Sequence, residues 1–257
     1  MLRRRLLVFG ESGGGVEMNP MDIRMIVTDL DGTLLRSDKT VSRYTADVFR
    51  KCRDKRIKIV FATARPIRTV KSLHLDIEND AAIYHNGAVI WIAPSTQILH
   101  SIGPQLANDV IQAALDMDPT AQIFMECRDV ATANFDASRL WKDIGFLRSD
   151  FSQPLTLPID KINMRMENNE QVEAIKNILP NELYLVPTEN RVGMIMDATK
   201  TKAITQVSGY FGIQQHHIAV FGDDYNDIDM LRECGVGVAV GNAIGEAKTA
   251  ADYVCDS

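Results

Sequence analysis

The sequence predicts an α/β protein: a parallel sheet covered on both faces by helices, with a second α/β domain inserted into it. Three observations carry that class. Short β-branched runs alternate with helical patterns from Met21 to about Tyr84, and the same alternation resumes after about Arg191. Between them the texture changes to shorter strands separated by polar helices and proline turns. Continuous apolar strands with intervening helices are those of a parallel sheet buried on both sides. The chain has 257 residues, more than one typical domain of roughly 100 to 150 residues and fewer than three. The expected division is therefore a flexible leader over 1–20, a discontinuous core over 21–87 and 191–257, and an inserted α/β domain over 88–190.

Taken in order, "RMIVTDL" reads as the first strand, and Val41, Tyr44, Val48 and Cys52 follow at helical spacing. "IKIVFA" is a second strand, and the segment after Pro66 is helical again. The middle segment supplies the shorter strands "AVIWI", "QIFME" and "KINMRM". Trp91 and Trp141, with the methionines of that segment, are expected in the core of the inserted domain, or for some of them along the substrate pocket. The last segment opens with a helix from Lys200, then gives the strand "HIAVFGD", a helix from Tyr225 and the short strand "VGVAV".

Composition narrows the function. With 46% hydrophobic and 24% charged residues the chain has ample material for a core. A net charge of -6 offers no global attraction to nucleic acid or an anionic membrane, so a small anionic substrate needs a local positive site. The four cysteines lie far apart with no CxxC, as expected of reduced thiols in a cytoplasmic protein. Near the amino terminus "LLVF" is shorter than the roughly 7 to 15 apolar residues of a signal-peptide core. No run approaches the ~20 apolar residues of a membrane span.

In an open parallel sheet, ligands bind outside the carboxyl ends of the strands. Four such ends carry polar residues: "TDLDGT" at Asp29, "FATAR" at Thr63, "YHNG" at Asn86 and "FGDDYND" at Asp223. A carboxylate is costly to bury without a partner, so two aspartates closing a buried strand call for a cation or a shared proton. Asp29 and Asp31 lie two apart, and Gly32 permits a sharp turn after them. Asn226 and Asp227 follow Asp223 at three and four residues, where a helix returns them to the same side. Each motif alone is also compatible with helix capping or a solvated turn. Two carboxylate groups at two ends of one sheet suit Mg²⁺, which takes oxygen ligands, keeps waters and bridges to phosphate.

Five segments in order, "DLDGTLL", "ATARP", "HNGA", "TKTKAI" and "GDDYNDIDML" followed by "VGVAVGNA", resemble the haloacid dehalogenase superfamily. The likeness is to its Cof-type phosphatases, subclass IIB, which carry a large α/β cap inserted into a Rossmann-like core. It spans nearly the whole chain from Met21. The resemblance implies that Asp29 is the nucleophile forming an aspartyl-phosphate, and that Asp31 protonates the leaving oxygen and later activates water. It implies Mg²⁺ held by Asp29, Asp223 and the backbone carbonyl of Asp31, with Asp227 orienting the metal's waters. It also implies phosphate contacts from Lys200, Thr63, Asn226 and the amides of Leu30 and Ala64. Two departures from the pattern stand out: Lys200 is followed by Thr201 where glycine is usual, with Lys202 nearby, and "TGR" appears as "TAR". Arg65 and Asn86 also follow strand ends, where either a substrate contact or an ion pair and a turn would place them.

The expected function is thus Mg²⁺-dependent hydrolysis of a small phosphorylated metabolite, with sugar phosphates the first class by resemblance. A phosphoryl transferase or mutase would share Asp29, Asp31 and the metal. A phosphate-sensing domain would need neither Asp31 nor a full cap.

Overall fold

The computed structural model describes residues 23–140, 145–187 and 192–256. The expected leader over 1–20 and Trp141 lie outside the described residues.

The chain runs β1 (Met25–Thr28), α1 (Arg43–Asp54), β2 (Lys58–Ala62), α2 (Ile67–Lys71), β3 (Ala81–Tyr84), β4 (Val89–Ile92) and β5 (Thr96–Leu99). It continues with α3 (Pro104–Met117), β6 (Ile123–Cys127), β7 (Val130–Ala133), β8 (Leu147–Arg148), β9 (Lys161–Arg165), α4 (Asn169–Ile178), β10 (Tyr184–Pro187) and β11 (Val192–Met196). It closes with α5 (Lys200–Tyr210), β12 (Ile218–Gly222), α6 (Ile228–Glu233), β13 (Val236–Ala239), α7 (Gly245–Ala250) and β14 (Tyr253–Val254). Two sheets result. The core sheet has eight strands in the order β14-β13-β12-β1-β2-β3-β4-β5, and the cap sheet has six in the order β10-β11-β9-β6-β7-β8.

In the core sheet β1 lies between β2 and β12, both parallel to it. Its Met25 and Val27 are fully buried in one apolar cluster with Ile204, Val207, Met230 and Leu231. On the opposite face Ile59, Phe61, Phe49 and Val70 form a second cluster. Helices thus cover both sides of the parallel strands, as their continuous apolar runs require. In α1 the buried residue is Phe49, whereas Tyr44 is 79% exposed. The expected apolar stripe through Tyr44 is therefore rotated. Ser42 sets that register by capping the helix through its side chain to the Thr45 amide.

The sheets also shift the expected divisions at 88 and 190. "AVIWI" forms β4, which pairs antiparallel with β3 and carries β5 at the edge of the core sheet. Trp91 accordingly packs on the core and not in the cap. At the return, β11 pairs with β9 and β10 in the cap sheet, so the chain re-enters the core only at α5. A local run of apolar residues carries no signal for which sheet it joins, because that choice is made by distant partners. The cap has its own apolar core around Ile111, Ile123, Ile162 and Ile195. Among the described residues no helix is long and apolar enough to cross a membrane.

Candidate active site

The carboxyl ends of β1 and β12 lie side by side, and their loops bring three aspartates together. Carboxylate oxygens of Asp29, Asp223 and Asp227 all lie within 4.8 Å of one another. Asp29 follows β1 and anchors to the neighbouring strand through its amide, which donates to Phe221 O at 3.0 Å. Asp223 follows β12. Asp227 closes a short turn of helix, fully buried, and its Oδ2 accepts from the Asp223 amide at 3.0 Å.

Lys200, the first residue of α5, enters this group from behind. Its ammonium donates to Asp29 Oδ1 at 2.5 Å and to Asp227 Oδ1 at 2.7 Å, with no exposed side-chain surface. Burial alone would lower its pKa, but the Asp227 and Asp29 carboxylates outweigh it and hold the amine charged. Thr199 caps the helix start by accepting from the Lys202 amide, which fixes where Lys200 points. Lys202 is directed elsewhere, to the Tyr184 hydroxyl. One ammonium does not balance three carboxylates. Burial pushes the Asp29 carboxyl well up against the opposing effect of Lys200, and pushes Asp223 up to about 6 against the Thr33 hydroxyl, which donates to its Oδ1 at 2.6 Å.

Gly32 lets the loop after β1 come this close. Its φ is +83°, and a Cβ at that position would lie 2.9 Å from the Asp223 Cγ and overlap the carboxylate. Asn242 closes the loop from the other side, donating to Gly32 O at 2.8 Å. Just before the glycine, Asp31 stands outside the carboxylate group and pairs with two cations. Arg65 grips it through Nε to Oδ2 and through Nη2 to Oδ1 at 2.6 Å, and Lys39 adds a bond to Oδ1 at 2.8 Å. Partial burial would raise the Asp31 carboxyl, yet the hydrogen bonds from Arg65 and Lys39 bring it below the ordinary range.

The remaining strand-end residues line the same edge. Thr63 is buried; its amide donates to Ile83 O at 2.8 Å, and its Oγ1 accepts from the Arg65 amide at 3.1 Å. Asn86, buried and at φ 56°, accepts from Asn226 Nδ2 at 2.8 Å and donates toward Met194 Sδ of the cap. Gly87 brings this turn against the start of α5, where a Cβ would lie 2.6 Å from Thr199 O. Leu30 is fully buried, with its carbonyl accepting from Leu35, and Ala64 offers its carbonyl to Lys161 of the cap. The structure thus gathers Asp29, Asp223, Asp227 and Lys200 in one group, with Thr63, Asn86 and Asn226 along the same edge. Asp31 and Arg65 form a separate ion pair beside it. Sequence reasoning missed Thr33, Lys39, Asn242 and Lys161. Thr33 closes "DLDGT", Lys39 lies six residues after it and Asn242 lies within "VGNA", so proximity to the motifs was the available signal for these three, and Lys161 had none.

A family model of haloacid dehalogenase-like hydrolases matches residues 26–257. The chain belongs to that family. Among curated relatives, it is 28% identical over 251 residues to the 5-amino-6-(5-phospho-D-ribitylamino)uracil phosphatase YcsE of Bacillus subtilis, across 94% of this chain and 93% of the relative. The phosphatase YitU of the same organism, named for the same substrate, is 26% identical over 249 residues, covering 89% and 90%. Among solved structures, the phosphatase BT1666 from Bacteroides thetaiotaomicron superposes with a TM-score of 0.81 at 22% identity, covering 95% and 94%. The subclass IIB sugar phosphatase BT4131 does so at 0.76 and 22%, covering 91% and 93%. At these identities the structures show a shared fold.

Proposed function

We propose that this enzyme hydrolyses small phosphomonoesters in the cytoplasm with Mg²⁺, passing the phosphoryl group first to Asp29 and then to water. The convergence of Asp29, Asp223 and Asp227 about Lys200 carries the reading. The donor set is all oxygen and carries excess negative charge, which suits a hard divalent cation. Asp29, Asp223 and the Asp31 carbonyl would hold it, with Asp227 behind them. A carboxylate about 3.5 Å from a phosphate charge is opposed by roughly 5 kcal/mol at an effective dielectric of about 20. Bound Mg²⁺ supplies the positive charge that offsets this repulsion.

The protein groups divide the remaining work. Lys200 fixes one oxygen of Asp29 and favours its ionised form, the form that attacks phosphorus. The Thr63 hydroxyl, whose oxygen already accepts from the Arg65 amide, directs its own hydrogen to a phosphate oxygen. Arg65 and Lys39 keep Asp31 ionised, ready to take a proton from the water of the second step. The proton Asp31 takes from that water is the one it gives to the leaving alcohol of the next turnover, when Arg65 turns to the substrate phosphate. The cap selects the organic part and excludes bulk water. Sugar phosphates and phosphoribitylamino-pyrimidines are the classes to test first, the latter because two relatives are named for such a substrate.

The test is phosphate release from such a panel and a chromogenic monoester, with Mg²⁺ or EDTA, for wild type and Asp29→Asn. Metal-dependent release that falls to background in the folded variant supports the reading. Release that survives in Asp29→Asn overturns the nucleophile, and phosphate that passes to a second sugar instead of water indicates a transferase.

A further inference from the structure

The cap meets the core through a buried polar junction. Arg68 of α2 binds Glu126 of β6 twice, at 2.8 and 2.9 Å, and Asp129 in the following turn at 3.2 Å. Lys161, at the start of β9 and opposite Glu126 in the cap sheet, is 6% exposed. Its ammonium leaves the cap and donates to the backbone carbonyl of Ala64 at 2.8 Å. That carbonyl and the Arg65 amide belong to one peptide unit. Its oxygen end takes Lys161, and its N–H end donates to Thr63 Oγ1 at 3.1 Å. An ammonium on a peptide oxygen polarises the whole unit and strengthens its N–H as a donor.

We infer that Lys161 is a positioning residue for the phosphate site, acting from the cap through the Ala64–Arg65 peptide to orient the Thr63 hydroxyl. Its reach joins cap closure to phosphate recognition: with the cap displaced, the peptide loses its charged partner and Thr63 its fixed acceptor geometry. The other groups facing the ammonium are Glu126 and Asp160, which favour its charge, and Arg68, which opposes it. His85 faces it too but is neutral, since burial and then Lys161 and Arg68 push its pKa well below 6.5, and its Nδ1 has no hydrogen-bond partner. Burial, reinforced by Arg68 and opposed by Glu126 and Asp160, brings Lys161 down to about 8. The positive charge that Lys161 presents to the Ala64 carbonyl is therefore lost within the accessible pH range.

The kinetic arm of the test rests on the phosphatase reading, and the binding arm does not. Lys161→Gln, checked for folding by circular dichroism, is compared with wild type for kcat and KM on several monoesters. Inhibition by inorganic phosphate and the pH profile from 6 to 10 are also compared. The expected result is a fall in kcat/KM of on the order of 10-fold or more. It should be similar for every organic group, with weaker inhibition by phosphate and loss of an alkaline limb near pH 8. Lys161→Arg should keep most of the rate and move that limb upward. A folded Lys161→Gln within twofold of wild type on all readouts overturns the inference, as does a loss confined to one substrate. If Lys161→Gln does not fold, a wild-type profile flat from pH 7 to 9.5 overturns it. If wild type turns over no monoester, calorimetric binding of inorganic phosphate with Mg²⁺ decides: weaker binding by Lys161→Gln upholds the inference, and equal or absent binding in both proteins overturns it.

Discussion

Replacing Lys200 by methionine removes the ammonium that Asp29 and Asp227 share while keeping the length of the side chain. Contacts of 2.5 and 2.7 Å correspond to roughly 6 kcal/mol of gross attraction each at an effective dielectric of about 20. Most of that is offset by the cost of burying the charges. The net loss on breaking such a pair is about 3 to 5 kcal/mol, because the carboxylates remain buried without their partner. At roughly 2 to 4 °C per kcal/mol for a chain of this size, Lys200→Met should melt about 6 to 20 °C below wild type in EDTA at pH 7.5. The pH dependence has a definite sign. Without the ammonium the Asp29 carboxyl, already raised by burial, is raised further above its unfolded value, so the deficit grows with pH once the wild-type carboxyl ionises and shrinks toward pH 5. Mg²⁺ should restore part of the loss by supplying the missing charge. Scanning calorimetry across pH 5 to 8, with and without Mg²⁺, reads all three effects. A deficit under about 1 kcal/mol in EDTA, or one that grows toward acid, would refute the reasoning.

Other perturbations probe neighbouring parts of the site. Gly32→Ala imposes an unfavourable positive φ costing roughly 1 to 2 kcal/mol and forces the Asp223 carboxylate away, so Mg²⁺ affinity should weaken at least about 10-fold. Gly103→Ala, where nothing lies within 4 Å, is the control and should leave affinity unchanged; equal effects at both glycines would contradict the crowding argument. With the Asp223 carboxyl pushed up to about 6, metal binding must displace a proton below that pH. Apparent Mg²⁺ affinity should then fall by about tenfold per pH unit between 6 and 5, and calorimetric affinities equal at pH 5 and 7.5 would contradict it.

The grouping of Asp29, Asp223 and Asp227 was legible because the first two follow the ends of apolar strands, which parallel strands deliver to one edge, and Asp227 lies four residues after Asp223, where a helical turn returns it. Lys200 was legible only through the resemblance. The choice of Lys200 over Lys202 depends on the Thr199 cap and the helical turn it starts. Arg65 and Asn86 each had two readings. The ion pair with Asp31 and the positive-φ turn beside Asn226 are what the structure shows. The junction of Arg68, Glu126 and Lys161 could not be read, since it joins residues 58 and 97 positions apart through a domain contact that leaves no local pattern. For the same reason β4 and β11 were assigned to the wrong sheets.

The placement of β1 also orders events during synthesis. Its Met25 pairs with Ile218, whereas the cap strands find all their partners between Ile123 and Met196. On the ribosome the cap sheet can close while β1 still waits for one of its two neighbours, β12, which then carries β13 and the edge strand β14. Such distant pairing is slow to form and leaves apolar edges exposed meanwhile. Until β12 is made, the nascent chain consists of a folded cap on an unfinished core, and chaperones would meet it at the open side of β1.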